Sequence, residues 1–493
     1  MAKYDYDILV IGGGAAGLTS SGICASFGAK TALIEKHKLG GDCTWTGCVP
    51  SKALLHIAKE MATIKKMSAF GVKFKDISID FSVVMDSVRE RRQRVYEDAD
   101  SPEIMRKRGV HILEGKAHFK DAHTVEISNA TRTKFLTFRS AIITSGGSPL
   151  VLPIPGLQET GFLTNETIFE LEKQPAHLVI LGSGPIGVEM AQAFNLLGTK
   201  VTVIALDPRI LIRDEPKCTS VIHHRLQSQG IQFHLGETIH SIKKNGANVE
   251  LTVGPLSGSN KNLHCDALLA AVGRIPNLQA LKLKNAGVKF EKTGIPVDKS
   301  CRTNAKHIFA AGDVTTFLKF THVAENMAKT AAINAVLRMP VYRFEQRMIP
   351  WVTYTDPECA HVGKTAEELT AENTKFETIE FPYAKIDRAV TEHAEEGWII
   401  LHTSLSGKIL GAHAVGAQAG EIINEYTLAM KNGLKLAKIS GTIHAYPTML
   451  LGARRAADQY YVRLQKKWMS KLLRFLFRYR GEIPDFVGSK EIL

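Results

Sequence analysis

A chain of 493 residues, 44% hydrophobic and 23% charged, has room for about three domains and enough apolar material for their cores, which sets aside disordered and fibrous classes. Only Cys43 and Cys48 of the seven cysteines lie close together, so a secreted disulfide framework is excluded and a reducing, cytoplasmic setting is expected; no signal peptide is expected before the first strand, and no stretch reaches the roughly 18 apolar residues of a membrane span. The formal charge of +13 would suit nucleic acid, but seven cations and no acid fall between Tyr461 and Arg480, so the body is only mildly basic and no nucleic-acid partner is expected.

Asp7-Ile8-Leu9-Val10-Ile11 is a continuous apolar run of the kind found in buried parallel strands, and Gly12-Gly13-Gly14-Ala15-Ala16-Gly17 follows at once. In GxGxxG the first glycine makes the tight turn, the second lets backbone approach a pyrophosphate, and the third packs helix on strand. The next strand, Lys30 to Ile34, ends in Glu35, where a carboxylate can bind ribose hydroxyls. Strand, glycines, helix, strand and acid together mark a dinucleotide site.

Directly after this unit comes GGDCTWTGCVPSK, Gly40 to Lys52. Four residues separate Cys43 from Cys48, about one helical turn, so both sulfurs can face one side; Pro50 suits the first turn of a helix whose N-terminal end favours a thiolate. This reads as a redox dithiol. The alternatives are two structural cysteines or half a zinc site, and no second cysteine pair accompanies this one.

Ser140 to Pro149 reads as a strand running into a turn, and Pro149, Pro153 and Pro155 mark a linker. Leu178 to Leu181 then repeats the strand, and Gly182-Ser183-Gly184-Pro185-Ile186-Gly187 repeats the fingerprint, which predicts a second dinucleotide. Ala205 holds the place relative to Gly182 that Glu35 holds relative to Gly12. Without that carboxylate a 2′-phosphate is not repelled, and Arg209 or Arg213 can offer positive charge. NADPH is therefore favoured over NADH, with Asp207 arguing the other way.

Ala270 to Asn277 is expected to return the chain to the first domain, and Ile308 to Asp313 is a short strand ending in an acid, either a ligand for a flavin ribityl hydroxyl or a helix cap. From Met348 onward strands and helices mix without a nucleotide signature, an α+β pattern suited to dimerisation. The expected division is 1–150 and 272–346 for the first nucleotide domain, 151–271 for the second, 347–460 for dimerisation and 461–493 for a tail.

In that tail Leu464, Trp468, Leu472, Phe475, Leu476 and Tyr479 recur at helical spacing beside Arg463, Lys467, Lys471, Arg474 and Arg478. A basic amphipathic helix with aromatic residues has the composition of a segment lying in a membrane interface, here an inner membrane face over residues 461–480. The alternative packs it on its own body or on a partner subunit.

These motifs resemble the FAD-dependent pyridine nucleotide–disulfide oxidoreductases, which include dihydrolipoamide dehydrogenase, glutathione reductase and mercuric reductase, over roughly residues 4 to 460. The family pattern is GGTC followed by xxGCxPSK, met here at Gly40 to Lys52 with Asp42 in place of the threonine. The resemblance implies an α/β fold with two Rossmann-like domains, for FAD and NAD(P), plus an α+β dimerisation domain in a homodimer. It places the FAD on Gly12, Gly14, Gly17, Glu35, Gly41, Lys52, Ala117, Ser145, Gly146 and Asp313, and the nicotinamide nucleotide on Gly182, Gly184, Ile186, Gly187 and Gly273. Lys52 would lie by the flavin N5 and pair with Glu189. Cys48 would be the charge-transfer thiol beside the flavin and Cys43 the interchange thiol that meets the substrate, with hydride passing from NAD(P)H to FAD and the electrons then opening the disulfide.

Disulfide-reducing members end in HxHPTxxE, whose second histidine, held by the glutamate, protonates the leaving thiolate. Here His444-Ala445-Tyr446-Pro447-Thr448-Met449-Leu450-Leu451 puts Tyr446 and Leu451 at those places. A tyrosine with a pKa near 10 is a poor proton shuttle at neutral pH, and His444 is expected to be a packed, hydrogen-bonding residue. Mercuric reductase also carries a tyrosine here, since its thiolate-bound ion needs electrons and ligand exchange rather than an acid. It usually adds a C-terminal cysteine pair and an N-terminal metal-binding domain, neither of which is expected from Gly488 to Leu493 or from the opening strand. A mercuric reductase-like activity, with Cys43 and Cys48 as transient ligands of the metal substrate and no structural metal, is the leading expectation. Dihydrolipoyl dehydrogenase chemistry, membrane-surface quinone reduction and a non-turnover redox sensor are the alternatives.

Overall fold

The computed structural model describes residues 4–484 apart from 247 and 317, so positions 485–493 of the expected tail lie outside the described residues. The chain divides into two compact units, one of residues 1–208 and 230–345, the other of residues 209–229 and 346–493.

In the first unit the strand Tyr6–Ile11 pairs in parallel with Thr31–Glu35 on one side and with the latter half of Thr133–Ile143 on the other, beyond which Ile308–Ala310 adds in parallel. Leu9, Val10, Leu33 and Ile142 are fully buried, which is why these strands read as apolar runs and not as alternating patterns. The earlier half of Thr133–Ile143 pairs antiparallel with Thr124–Ser128, which pairs in turn with Lys116–Phe119. The helix Ala15–Ser26 packs against Thr321–Leu337, and Cys48–Lys66 packs against Pro185–Leu196.

The second fingerprint follows the strand His177–Leu181, the third member of a parallel sheet ordered Gln232–Leu235, Lys200–Ala205, His177–Leu181, Ala267–Ala270. Val179, Leu181 and Ile204 of this sheet share one core with Leu251 and Val253 of a three-stranded antiparallel sheet. Gly147–Pro149 pairs with Arg274–Pro276, so the chain leaves and re-enters the first nucleotide-binding portion side by side.

The second unit is built on an antiparallel sheet ordered Trp351–Thr353, Glu358–Gly363, Ile409–Gly416, Trp398–Thr403, Glu377–Pro382. Strand alternation sends Ala360, Val362, Ile399, Leu401, Ala412 and Ala414 into a core closed by the helices Ala419–Lys431 and Leu451–Leu464. The opposite face carries His361, His402 and His413 and is covered by the helix Pro216–Ser228. The expected tail helix is two helices. Leu451–Leu464 stops at Gln465, which is extended, and Lys467–Phe477 follows without a single buried residue. Among the described residues no helix is long and apolar enough to cross a membrane.

Candidate active site

The glycine loop and the cysteine stretch are built against each other. A Cβ on Gly12 would lie 2.4 Å from the carbonyl oxygen of Thr144, and one on Gly17 would lie 1.8 Å from that of Gly12, so both glycines are demanded by internal packing. Gly14 differs, since the nearest heavy atom to its added Cβ is the Cα of Gly41 at 3.7 Å. Gly40 donates its N–H to the carbonyl of Gly13 at 2.9 Å, and Glu35 accepts from the N–H of Gly13 at 2.6 Å. The backbone of the first dinucleotide loop therefore fixes where the cysteine stretch begins.

That stretch does not form one continuous helix. Cys43 lies in the short helix Gly41–Trp45 and Cys48 is the first residue of Cys48–Lys66, with a break at Thr46 and Gly47. Gly47 sits outside the helical region at φ −128° and ψ −112°, and a Cβ there would come within 2.8 Å of the Asp42 carbonyl. The two thiols still influence each other's ionisation. The neighbouring Cys43 thiol is the main cause that lowers Cys48 to about 6, with Thr321 and Lys52 adding to it against burial, while Cys48 and burial push Cys43 up. Cys48 Sγ also lies 3.3 Å from Oγ1 of Thr321, the first residue of the helix Thr321–Leu337. A thiolate at Cys48 thus has a thiol, a hydroxyl and a helix N-terminus around it.

One turn further along, Lys52 Nζ donates to Glu189 Oε2 at 2.8 Å, joining the cysteine-bearing helix to the helix of the second fingerprint. Arg274 holds Asp42 at 2.5 Å, Asp313 at 3.2 Å and the Gly147 carbonyl at 2.5 Å, and Asp42 also accepts from Asn165 at 3.0 Å. Burial pushes the Asp313 carboxyl up, and Arg274 opposes it. Ser145 donates to the Asn277 carbonyl at 2.9 Å, Gly146 has φ +67°, and Ala117 is a half-buried position on Lys116–Phe119 packed against the core.

The second loop repeats the first. A Cβ on Gly182 would meet the Ala271 carbonyl oxygen at 2.5 Å and one on Gly187 that of Gly182 at 2.0 Å, whereas nothing lies within 4 Å of one on Gly184 or Gly273. Ile186 is partly exposed in the first helical turn, and Ala205 is buried at the end of its strand. The Arg209 guanidinium is taken up by the carbonyls of Leu211, Ile212 and Asp214 and by Glu367, all within the second unit, which leaves Arg213 as the exposed cation of this segment.

In the second unit Tyr446 is 69% exposed and Leu451 only 4%, at the start of the helix Leu451–Leu464. His444 is occupied at both ring nitrogens, by the Thr442 carbonyl at 2.9 Å and by Glu425 at 2.9 and 3.1 Å. Sequence reasoning passed over Thr321, Asp42 and Arg274. The sequence did carry a sign of two of them: Thr321 opens an apolar-periodic segment, and Asp42 replaces the threonine of the GGTC pattern.

With this geometry in view, the profile described as pyridine nucleotide-disulphide oxidoreductase matches residues 6–328, and that of the corresponding dimerisation domain matches residues 349–455. The mercuric reductase of Staphylococcus aureus is 31% identical over 459 residues, spanning 92% of this chain and 82% of the relative. The dihydrolipoyl dehydrogenase of Vibrio cholerae is 30% identical over 456 residues, spanning 92% and 94%. Among solved structures, the HOCl-induced flavoprotein disulfide reductase RclA from Escherichia coli superposes with a TM-score of 0.80 at 26% identity, over 93% of this chain and 100% of that one, and its Cu(II) complex with the same TM-score and identity over 93% and 99%. Two dinucleotide loops, a dithiol at the mouth of the first and a dimerisation domain thus place the chain in the FAD-dependent pyridine nucleotide-disulphide oxidoreductase family.

Proposed function

We propose that the chain passes electrons from NADPH to a thiol-binding metal ion, with Cys43 and Cys48 as the ligands that receive it. The observation that carries this reading is the proton side of the site. Tyr446 stands in the place of the family's acid-base histidine, buried Leu451 in the place of its glutamate, and His444 is locked to Glu425. A dithiol whose Cys48 is lowered to about 6 and whose acid-base histidine is replaced by Tyr446 suits an acceptor that takes thiolates and electrons. The relatives named mercuric reductase and the Cu(II) complex agree with that chemistry, while those named dihydrolipoyl dehydrogenase and disulfide reductase carry the disulfide alternative.

The residues fit FAD. An added Cβ on Gly146 would meet nothing within 4 Å and one on Gly14 only the Gly41 Cα at 3.7 Å, Glu35 accepts from the neighbouring Gly13 N–H, and Gly41, Lys52 and Asp313 would complete the same site. Bound FAD supplies the two-electron relay between nicotinamide and dithiol. Gly182, Gly184, Ile186, Gly187 and Gly273 would hold the nicotinamide nucleotide, with Ala205 in place of a ribose-binding acid favouring NADPH. Lys52, paired with Glu189, would keep a positive charge beside Cys48. One NADPH supplies two electrons and releases one proton, which balances one Hg(II) reduced to Hg(0) or two Cu(II) reduced to Cu(I).

The second unit would pair with a second copy, since it matches a dimerisation profile and exposes Ile443, Tyr446 and Leu450 around the 444–451 segment. The helix Lys467–Phe477 exposes Trp468 and Phe475 beside its cations, which favours contact with an anionic membrane surface. The test is turnover of the purified flavoprotein with NADH or NADPH against Hg(II), Cu(II), lipoamide, oxidised glutathione and quinones, with Cys43→Ala and Cys48→Ala alongside. Metal turnover with NADPH, abolished in both variants, is the expected result. Faster turnover of lipoamide or glutathione, or metal turnover untouched by both substitutions, would overturn the proposal.

A further inference from the structure

The face of the second unit's sheet that lies under the helix Pro216–Ser228 is polar where a core would be apolar. His361 and His413 are cross-strand partners on Glu358–Gly363 and Ile409–Gly416, and His402 lies on the adjacent strand, so strand alternation sends all three imidazoles to the same side. Their ring centroids are 4.7 Å apart for His361 and His413 and 5.0 Å for His402 and His413, and the Trp351 indole stacks on His361 at 3.7 Å. Glu215, the residue before the covering helix, turns its carboxylate into this row. Its Oε2 lies 3.1 Å from His402 Nε2 and 3.8 Å from His413 Nε2, and all four residues are buried.

We propose that Glu215, His402 and His413 form a binding site for a divalent transition ion, with Zn²⁺ the fitting occupant. One ligand atom from each of the three lies within 4.8 Å of the others. Two donors bonded at about 2.0–2.1 Å to a tetrahedral ion are roughly 3.3 Å apart, and the observed 3.1 and 3.8 Å bracket that spacing. Two imidazoles and a carboxylate are a donor set for a borderline cation such as Zn²⁺, not for Ca²⁺ or Mg²⁺, which take oxygen ligands.

The surroundings are already arranged to aim these ligands. His402 Nδ1 meets Thr378 Oγ1 at 3.0 Å, which orients the ring so that Nε2 faces Glu215. The Glu215 carboxylate is steadied by the N–H of Ala366 at 3.0 Å. His413 Nε2 meets the Lys364 carbonyl at 3.1 Å; binding the ion there would exchange this hydrogen bond for a metal bond and leave that oxygen nearby for a fourth position. Nδ1 of both His413 and His361 has no hydrogen-bond partner among the described residues, so the row is under-satisfied as a purely hydrogen-bonded network. A bound ion would tie residues 209–229 to the sheet, a structural role separate from the electron-transfer dithiol.

The test uses full-length, flavin-loaded protein carrying Cys43→Ser and Cys48→Ser, so that the dithiol cannot bind the probe. After removal of metal by a chelator, Zn²⁺ is titrated calorimetrically, and Co²⁺ is added separately to read coordination from its visible absorption. The expected result is one Zn²⁺ per chain and the intense bands of four-coordinate Co²⁺, with affinity falling about 100-fold or more in His402→Gln, His413→Gln or Glu215→Gln while flavin content is unchanged. Absence of stoichiometric Zn²⁺ uptake by the protein with an intact cluster would overturn the proposal without recourse to those variants. Uptake that persists undiminished in His402→Gln with His413→Gln would overturn it equally.

Discussion

Thr321 Oγ1 lies 3.3 Å from Cys48 Sγ at the first residue of the helix Thr321–Leu337, so a hydroxyl and a helix N-terminus both face the more acidic thiol of the pair. A hydrogen bond to a charged group is worth about 1.5–3 kcal/mol, or roughly one to two pH units. Thr321→Val is expected to move the Cys48 titration upward from about 6 by about one pH unit, and Thr321→Ser to leave it in place. Since Cys48 is lowered from its ordinary value, its thiolate is present above about pH 6 and lost below it, so the alkylation rate of the reduced protein should fall about tenfold for each pH unit below that point. An alkylation profile that does not respond to Thr321→Val would show that the hydroxyl has no part in setting the thiol.

Lys52 and Glu189 form an unequal pair, with the carboxylate buried and the ammonium partly in solvent. Removing the lysine takes the cation away from a buried carboxylate, which costs 3–5 kcal/mol for a fully buried pair and about 2 kcal/mol here after allowing for the exposed partner. Lys52→Met should therefore destabilise the protein more than Glu189→Gln does, and the double substitution should recover most of the loss, as read by chemical denaturation. Additive losses would mean that the two side chains are not coupled.

The three glycines of the first fingerprint should separate into two kinds. Gly17→Ala places a Cβ 1.8 Å from the Gly12 carbonyl oxygen and is expected to give insoluble or grossly destabilised protein. Gly14→Ala has no atom nearer than 3.7 Å and an extended backbone at φ −79°, ψ −170°, so it should fold with its far-ultraviolet dichroism intact and lose flavin on gel filtration. A yellow, fully loaded Gly14→Ala protein would count against the loop as the flavin cradle.

This contrast also marks how far the sequence could be read. The loops at Gly12 and Gly182 were legible because their signals are local, a buried strand followed at once by glycines that sterics require. The order of strands around Tyr6–Ile11 and the pairing of Gly147–Pro149 with Arg274–Pro276 join segments far apart in the chain, and no local pattern encodes them. Asp42 and Arg274 escaped for the same reason, since an ion pair across the fold leaves each residue looking like a solvated charge. The break between the two cysteines was hidden because four intervening residues suit one continuous turn equally well, and only the close approach of Gly47 to the Asp42 carbonyl reveals the interruption.

The helix Lys467–Phe477 predicts a clean truncation. Leu451–Leu464 belongs to the core of the second unit through Ala453, Ala456, Ala457 and Tyr460, whereas nothing in Lys467–Phe477 is buried. Deleting residues 466–493 should leave stability and NADPH oxidation unchanged. Basic residues near an anionic surface contribute about 1 kcal/mol each, so the full chain should bind phosphatidylserine-containing vesicles at least about 100-fold more tightly than the truncated one, and lose that advantage in high salt. Equal sedimentation of both proteins with vesicles would remove the tail from any membrane role.

Tyr446 and Leu451 make the acceptor preference itself open to reversal. Leu451→Glu alone puts a carboxylate into a position that is now buried and should cost more than the about 1–3 kcal/mol of an unpaired neutral polar group, because no cation or donor is supplied with it. Tyr446→His alone adds an imidazole without the carboxylate that would orient and charge it. Together the two substitutions supply the acid-base pair of the disulfide-reducing members, and a positioned general acid contributes 10²–10⁴-fold in such steps. The double variant should therefore reduce lipoamide or oxidised glutathione at least about tenfold faster than the parent and recover part of the stability lost in Leu451→Glu. Turnover of Hg(II) or Cu(II), which needs thiolates and electrons alone, should change little. A folded, flavin-loaded double variant whose dithiol is reduced by NADPH at the parent rate, yet which gains no disulfide turnover, would mean that features other than Tyr446 and Leu451 hold this chain away from disulfide substrates.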